Sequence, residues 1–71
     1  MAGKRDFSVQ SLTRAAAILE SFTQEKSELT LRDITEATGL SKSTCYRLLA
    51  TLELVGFVDR TPDRARYLLG M

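Results

Sequence analysis

Histidine is absent from this sequence and cysteine occurs once, at Cys45. A lone cysteine excludes an intramolecular disulfide, and without histidine no cluster has the ligand spacing of a zinc site. The same scarcity removes the usual equipment of hydrolases and transferases. Ser41, Ser43 and Cys45 have no histidine base, and no glycine-rich phosphate loop is present. No metal, no cofactor and no catalysis are therefore expected. Long apolar runs are missing too: nothing approaches the roughly 20 residues needed to cross a bilayer. Lys4 and Arg5 are not followed by the apolar segment of a signal peptide. These absences predict no membrane span and a cytoplasmic chain. Excess charge of one sign is also lacking, with 10 Lys and Arg against 9 Asp and Glu, which argues against a general polyanion binder. The 71 residues suffice for one small domain, which buries only roughly 60% of its unfolded surface.

The distribution of charge is more informative than its sum. Residues 1–14 carry a net +2 (Lys4, Arg5 and Arg14 against Asp6), residues 15–38 a net −3, and residues 42–66 a net +2. Such a dipolar domain suits docking through one side. The stretch Thr30–Thr51, TLRDITEATGLSKSTCYRLLAT, reads as two short helices around a tight turn. Thr30 is placed to cap the first helix, with Asp33 completing a near capping box. Gly39 stops that helix and Ser41 starts the next. In the second helix Cys45, Leu48, Leu49 and Leu52 fall at i, i+3, i+4 and i+7, while Ser43, Tyr46, Arg47 and Ala50 lie opposite. One face is apolar and the other can donate hydrogen bonds, as insertion into a DNA major groove requires. Cys45, on the leucine stripe, reads as a buried small apolar residue.

Around this helix-turn-helix the pattern predicts a first helix from about Ser11 to Gln24, with Leu12, Ala15, Ala16, Leu19 and Phe22 facing inward. A polar loop follows, and Leu29 sits where a short strand is possible. Helix 2 is expected over Leu31–Thr38, with Leu31, Ile34 and Ala37 inward. Helix 3 is expected over residues 42–55, with Gly56 ending it in the left-handed conformation. After Gly56 the period changes to two. Residues 57–60 and 66–69 read as strands joined by a turn at Pro62 and Asp63, which makes the segment 57–69 a wing. A hairpin this small is marginal alone, so Phe57, Val58, Tyr67 and Leu69 are expected to pack on the helices. The fold class is mainly α with a small β-hairpin: a winged helix-turn-helix of three helices plus wing. Residues 1–8 are expected to be a flexible arm and residues 9–71 the domain.

Ser41, Lys42, Ser43 and Thr44 open helix 3, where exposed amides and the helix dipole attract phosphate. Arg47 is the residue expected on a base edge, because a guanidinium can bridge guanine O6 and N7. Ser43 and Tyr46 are candidates for bases or phosphates. Arg60, Arg64 and Arg66 flank the wing turn and are assigned to backbone or minor groove, unless Asp59 and Asp63 neutralise them. The alternative reading is a winged helix used for protein interaction or dimerisation without DNA reading, with Tyr46 and Leu54 as contacts.

The residues SLTRAAAILE, LTLRDITEATGLSKSTCYRLLATLELVGFV and YLLG together resemble the N-terminal DNA-binding domain of IclR-type transcriptional regulators, from Val9 to Gly70. The resemblance implies that Ser41, Lys42, Ser43, Thr44, Tyr46 and Arg47 face DNA and that the wing's basic positions fall among Arg60, Arg64 and Arg66. It matches Arg14 to a helix 1 arginine at the DNA backbone, where Thr30 is also expected. It further implies a double-stranded, approximately palindromic operator and a homodimer in the full-length protein. A small-molecule effector is expected to bind a C-terminal domain that follows the wing in the family and is absent from this chain.

Overall fold

A computed structural model describes residues 9–70, and the expected arm at residues 1–8 lies outside them. Three helices, α1 (Gln10–Glu20), α2 (Leu31–Thr38) and α3 (Lys42–Leu54), precede two strands, β1 (Val58–Arg60) and β2 (Tyr67–Leu69). The strands are antiparallel, with Val58 opposite Leu69 and Arg60 opposite Tyr67. Leu29 adds a single bridge on the other edge of β2, its amide and carbonyl exchanging hydrogen bonds of 2.9 and 2.7 Å with Tyr67. That rung ties the loop before α2 to the wing and gives the hairpin the third partner that a two-stranded sheet needs.

Local chemistry sets the helix ends. Thr30 Oγ1 accepts the Asp33 amide while Asp33 Oδ2 accepts the Thr30 amide, both at 3.0 Å, a complete capping box. Gly39 ends α2 at φ 76°, in the left-handed region. At the end of α3 the Phe57 amide donates to Leu52 O (2.9 Å) and the Gly56 amide to Glu53 O (3.1 Å), with Gly56 at φ 90°. This is a Schellman closure, and it turns the chain directly into β1.

The core draws on every element. Ile18 of α1, Ile34 of α2, Cys45 and Leu49 of α3 and Val58 of β1 are wholly buried, joined by Phe22, Leu29, Leu52 and Tyr67. Several expected inward positions are not inward. Leu12 is 67% exposed, and Ala16 and Ala37 also face out. On α1 the buried residue is Ile18, with the partly buried Ala15 and Leu19 packed beside it. The first helix stops at Glu20, not Gln24, and Phe22 reaches the core from the turn beyond it. In the wing, Val58 and Tyr67 supply the packing, whereas Phe57 is 42% exposed and Leu69 nearly half exposed. Phe57 and Val58 are neighbours on an extended chain, so they cannot both point inward.

Candidate nucleic-acid interface

Packing fixes the orientation of α3, which lies against α1, α2 and β1 through Cys45, Leu49 and Leu52. The turn before it is held by the Thr38 hydroxyl, which donates to Ile34 O (2.8 Å), accepts the Leu40 amide (3.2 Å) and sits 3.7 Å from Cys45 Sγ. Ser41 Oγ accepts the Thr44 amide at 3.2 Å and donates to Thr44 Oγ1 at 2.9 Å. Ser41 is therefore the N-cap, while Lys42 and Ser43 are exposed beside it and Thr44 is half-buried.

Tyr46, Arg47 and Ala50 are exposed, opposite the buried stripe. Among the described residues no hydrogen bond or ion pair engages the Arg47 guanidinium. Arg47 borders a cleft of about 230 Å³ lined by Ser11, Arg14, Thr44, Arg47, Leu48 and Thr51. The fold thus brings Arg14 of α1 beside α3, so two guanidinium groups and three hydroxyls share one polar recess. A second depression joins Thr30, Arg32 and Lys42 to Ala65 of the wing turn. The capping box engages Thr30 Oγ1 as the acceptor of the Asp33 amide.

The three wing arginines separate. Arg60 lies across the strand pair from Tyr67 with its guanidinium 4.7 Å from the ring centroid, and it donates from Nη2 to Arg64 O at 2.7 Å. Its Nε is buried without a partner among the described residues. Burial raises the Tyr67 hydroxyl above its ordinary pKa, opposed by the Arg60 charge. Arg64 has a left-handed backbone, φ 61°, and pairs through Nη2 with Glu53 Oε2 of α3 at 3.5 Å. Arg66 is exposed. Its charge contributes to lowering the Asp33 carboxyl, an effect led by the hydrogen bonds from Thr30. Asp63 does not neutralise an arginine through an ion pair. Its Oδ1 accepts the Thr61 hydroxyl (2.6 Å) and the Ala65 amide (3.0 Å), which together hold its carboxyl below the ordinary range. Leu54 is 84% exposed.

An exposed polar stripe on a buried-backed helix is thus followed by a basic hairpin. Residues 11–62 match the IclR helix-turn-helix domain. The chain belongs to the IclR family. This IclR-family chain is 46% identical over 63 residues to the HTH-type transcriptional regulator XynR of Escherichia coli (strain K12), covering 89% of this chain and 25% of that protein. It is 42% identical over 62 residues to the glycerol operon regulatory protein of Streptomyces griseus, covering 87% of this chain and 24% of that one. An IclR family transcriptional regulator from Brucella abortus has a superimposable structure, TM-score 0.88 at 29% identity, over 97% of this chain and 26% of that chain. The IclR regulator of Alicyclobacillus acidocaldarius gives TM-score 0.79 at 39% identity, over 92% of this chain and 26% of that one. The IclR-family chain spans about a quarter of the length of these relatives. They are transcriptional regulators, not enzymes.

Two residues of the IclR-type domain escaped the sequence reading. Thr38 lacked any signal, because its role depends on a carbonyl one turn back and a cysteine across the turn. Glu53 lies on the outward stripe at i+7 from Tyr46, but its partner Arg64 is 11 residues away. No helical spacing rule connects them.

Proposed function

We propose that this domain binds duplex DNA sequence-specifically, with α3 in the major groove and the wing on the backbone or in the adjacent minor groove. The observation that carries this reading is Arg47, exposed and, among the described residues, unengaged on the side of α3 opposite Cys45, Leu49 and Leu52. Arg47 is assigned to a base edge, Ser43 and Tyr46 to bases or phosphates, and Ser41, Lys42 and Thr44 to the phosphate at the start of α3. Arg14, beside Arg47 in the same cleft, and Thr30, beside Lys42 in the second depression, are assigned to the backbone. Arg64 and Arg66 are assigned there too. Arg60 contributes through the wing it stabilises.

The active form is proposed to be a homodimer of a longer regulator on an approximately palindromic operator, with its α3 helices in successive major grooves. Effector sensing is assigned to a part of that regulator beyond these residues. Selection of bound sequences from a random duplex pool tests the reading. Enrichment of an inverted repeat whose half-sites lie about one helical turn apart, or a multiple of it, is expected. A pool that stays random after repeated rounds overturns sequence-specific recognition. The reading as a protein-interaction module, for which exposed Tyr46 and Leu54 are available, predicts binding that is insensitive to salt. DNA binding instead weakens steeply with salt through counterion release.

A further inference from the structure

The turn of the wing is built to aim one side chain. The Arg64 amide donates to Thr61 O at 2.7 Å and the Arg64 carbonyl accepts Arg60 Nη2, also at 2.7 Å, so both ends of this residue are held in the left-handed conformation. Glycine is the usual residue at such a position, because a Cβ is disfavoured there. Here an arginine occupies it, and its guanidinium reaches back to α3, 3.5 Å from Glu53 Oε2. The pair is unequal: the Arg64 side chain is 61% exposed and the Glu53 side chain 32%. Asp63 is occupied by Thr61 and Ala65. Among the described residues this is the only ion pair between two elements, since Arg32 and Glu36 pair within α2.

A phosphate approaching the wing therefore meets a guanidinium already facing a carboxylate fixed on the recognition helix. We propose that Glu53 is an intramolecular competitor of DNA phosphate for Arg64, and so sets how strongly the wing grips any duplex. This rests on the DNA-binding reading of the wing. When Arg64 turns to a phosphate, the abandoned Glu53 carboxylate recruits a cation from solution and offsets the counterion released from DNA. Glu53 thus costs affinity and flattens the salt dependence, without regard to base sequence.

The test is a four-protein cycle: the parent chain, Glu53→Gln, Arg64→Ala and the double variant. Each is titrated by fluorescence anisotropy against a mixed-sequence duplex at several salt concentrations, with thermal melts alongside. Glu53→Gln is expected to bind about two- to fivefold tighter at low salt, with a steeper salt slope and a melting curve close to the parent's. In the Arg64→Ala background the gain should shrink. Binding by Glu53→Gln that is unchanged or weaker overturns the proposal, as does a gain of equal size without Arg64. Failure of the parent itself to bind duplex in a salt-dependent way would instead remove the DNA-binding reading on which the proposal stands.

Discussion

Replacing Arg47 with alanine separates base reading from phosphate gripping. Arg47 is exposed, and among the described residues its guanidinium has neither a hydrogen bond nor an ion pair. Its removal leaves no buried group unsatisfied, and Ala50 and Thr51 continue the helix beside it. The folded domain should therefore lose almost nothing. A bidentate guanidinium contact to guanine discriminates by about 1–3 kcal/mol, or about 5- to 150-fold in affinity. That loss should appear on a selected operator and should relax the preference at one base position. On scrambled duplex the effect should be small. The salt slope should stay nearly constant, because each lost phosphate contact changes it by about 0.9. Anisotropy titrations of both duplexes across a salt series measure all three quantities. Equal losses on operator and scrambled DNA, with a shallower slope, would show that Arg47 grips phosphate from the cleft it shares with Arg14, and would refute its assignment to a base edge.

Three other outcomes follow from the geometry. Leu49→Ala empties a wholly buried position on α3 and should cost about 2–5 kcal/mol, a large part of the roughly 4–10 kcal/mol typical of a chain this size; a cooperative urea transition with an unshifted midpoint would contradict the core assignment. Ser41→Ala removes the cap of α3 and should cost about 1 kcal/mol, a fall of about 4–8 °C in melting temperature. Ser41→Asp should keep the cap and yet weaken every duplex, and tighter DNA binding by that variant would disprove a phosphate near Ser41. Asp33 and Asp63 both have lowered carboxyl pKa values in the fold, so their contribution is present above the ordinary carboxylate pKa of about 4 and is lost as pH falls through the folded values. Stability should drop on the acid side of that point, and Asp33→Asn should flatten the drop in pH-dependent melts.

What was legible in the sequence was set by chemistry within a few residues. The limits of α2, its capping box, Gly39, the Ser41 cap and the left-handed Gly56 are all decided by side chains meeting nearby backbone, and these agree with the structure. The facing of α1 was harder, because AAAILE is apolar almost all round. Helical period alone does not choose between a stripe through Leu12 and Ala16 and one through Ile18; packing against α3 does. The inward side of the wing was half legible. Alternation picks Val58 and Tyr67, but Leu69, in phase with Tyr67, emerges at the hairpin's open end. At the candidate site, exposure of the Lys42–Arg47 surface followed from the leucine stripe opposite. The fates of Arg60 and Arg64 did not, since Tyr67 and Glu53 approach them only after the hairpin folds back.

Those fates make the count of basic residues a poor guide to the number of phosphates held. Arg60 is drawn inward, where its guanidinium spans the Tyr67 ring and the Arg64 carbonyl. Both contacts need a planar, delocalised cation; a lysine ammonium keeps the charge but loses the stacked plane and the fixed fork of donors. Arg60→Lys therefore distinguishes scaffold from contact. If Arg60 shapes the wing, the lysine variant should lose about 1 kcal/mol of stability, the order of a partly exposed cation–π contact. It should also bind duplex more weakly, because the wing that presents Arg66 to DNA is less firmly shaped. If Arg60 served as a simple point charge for phosphate, lysine would melt and bind like the parent, while Arg60→Gln would lose one phosphate's share of the salt slope. That second pattern would return Arg60 to the DNA surface and remove the support proposed for the aim of Arg64.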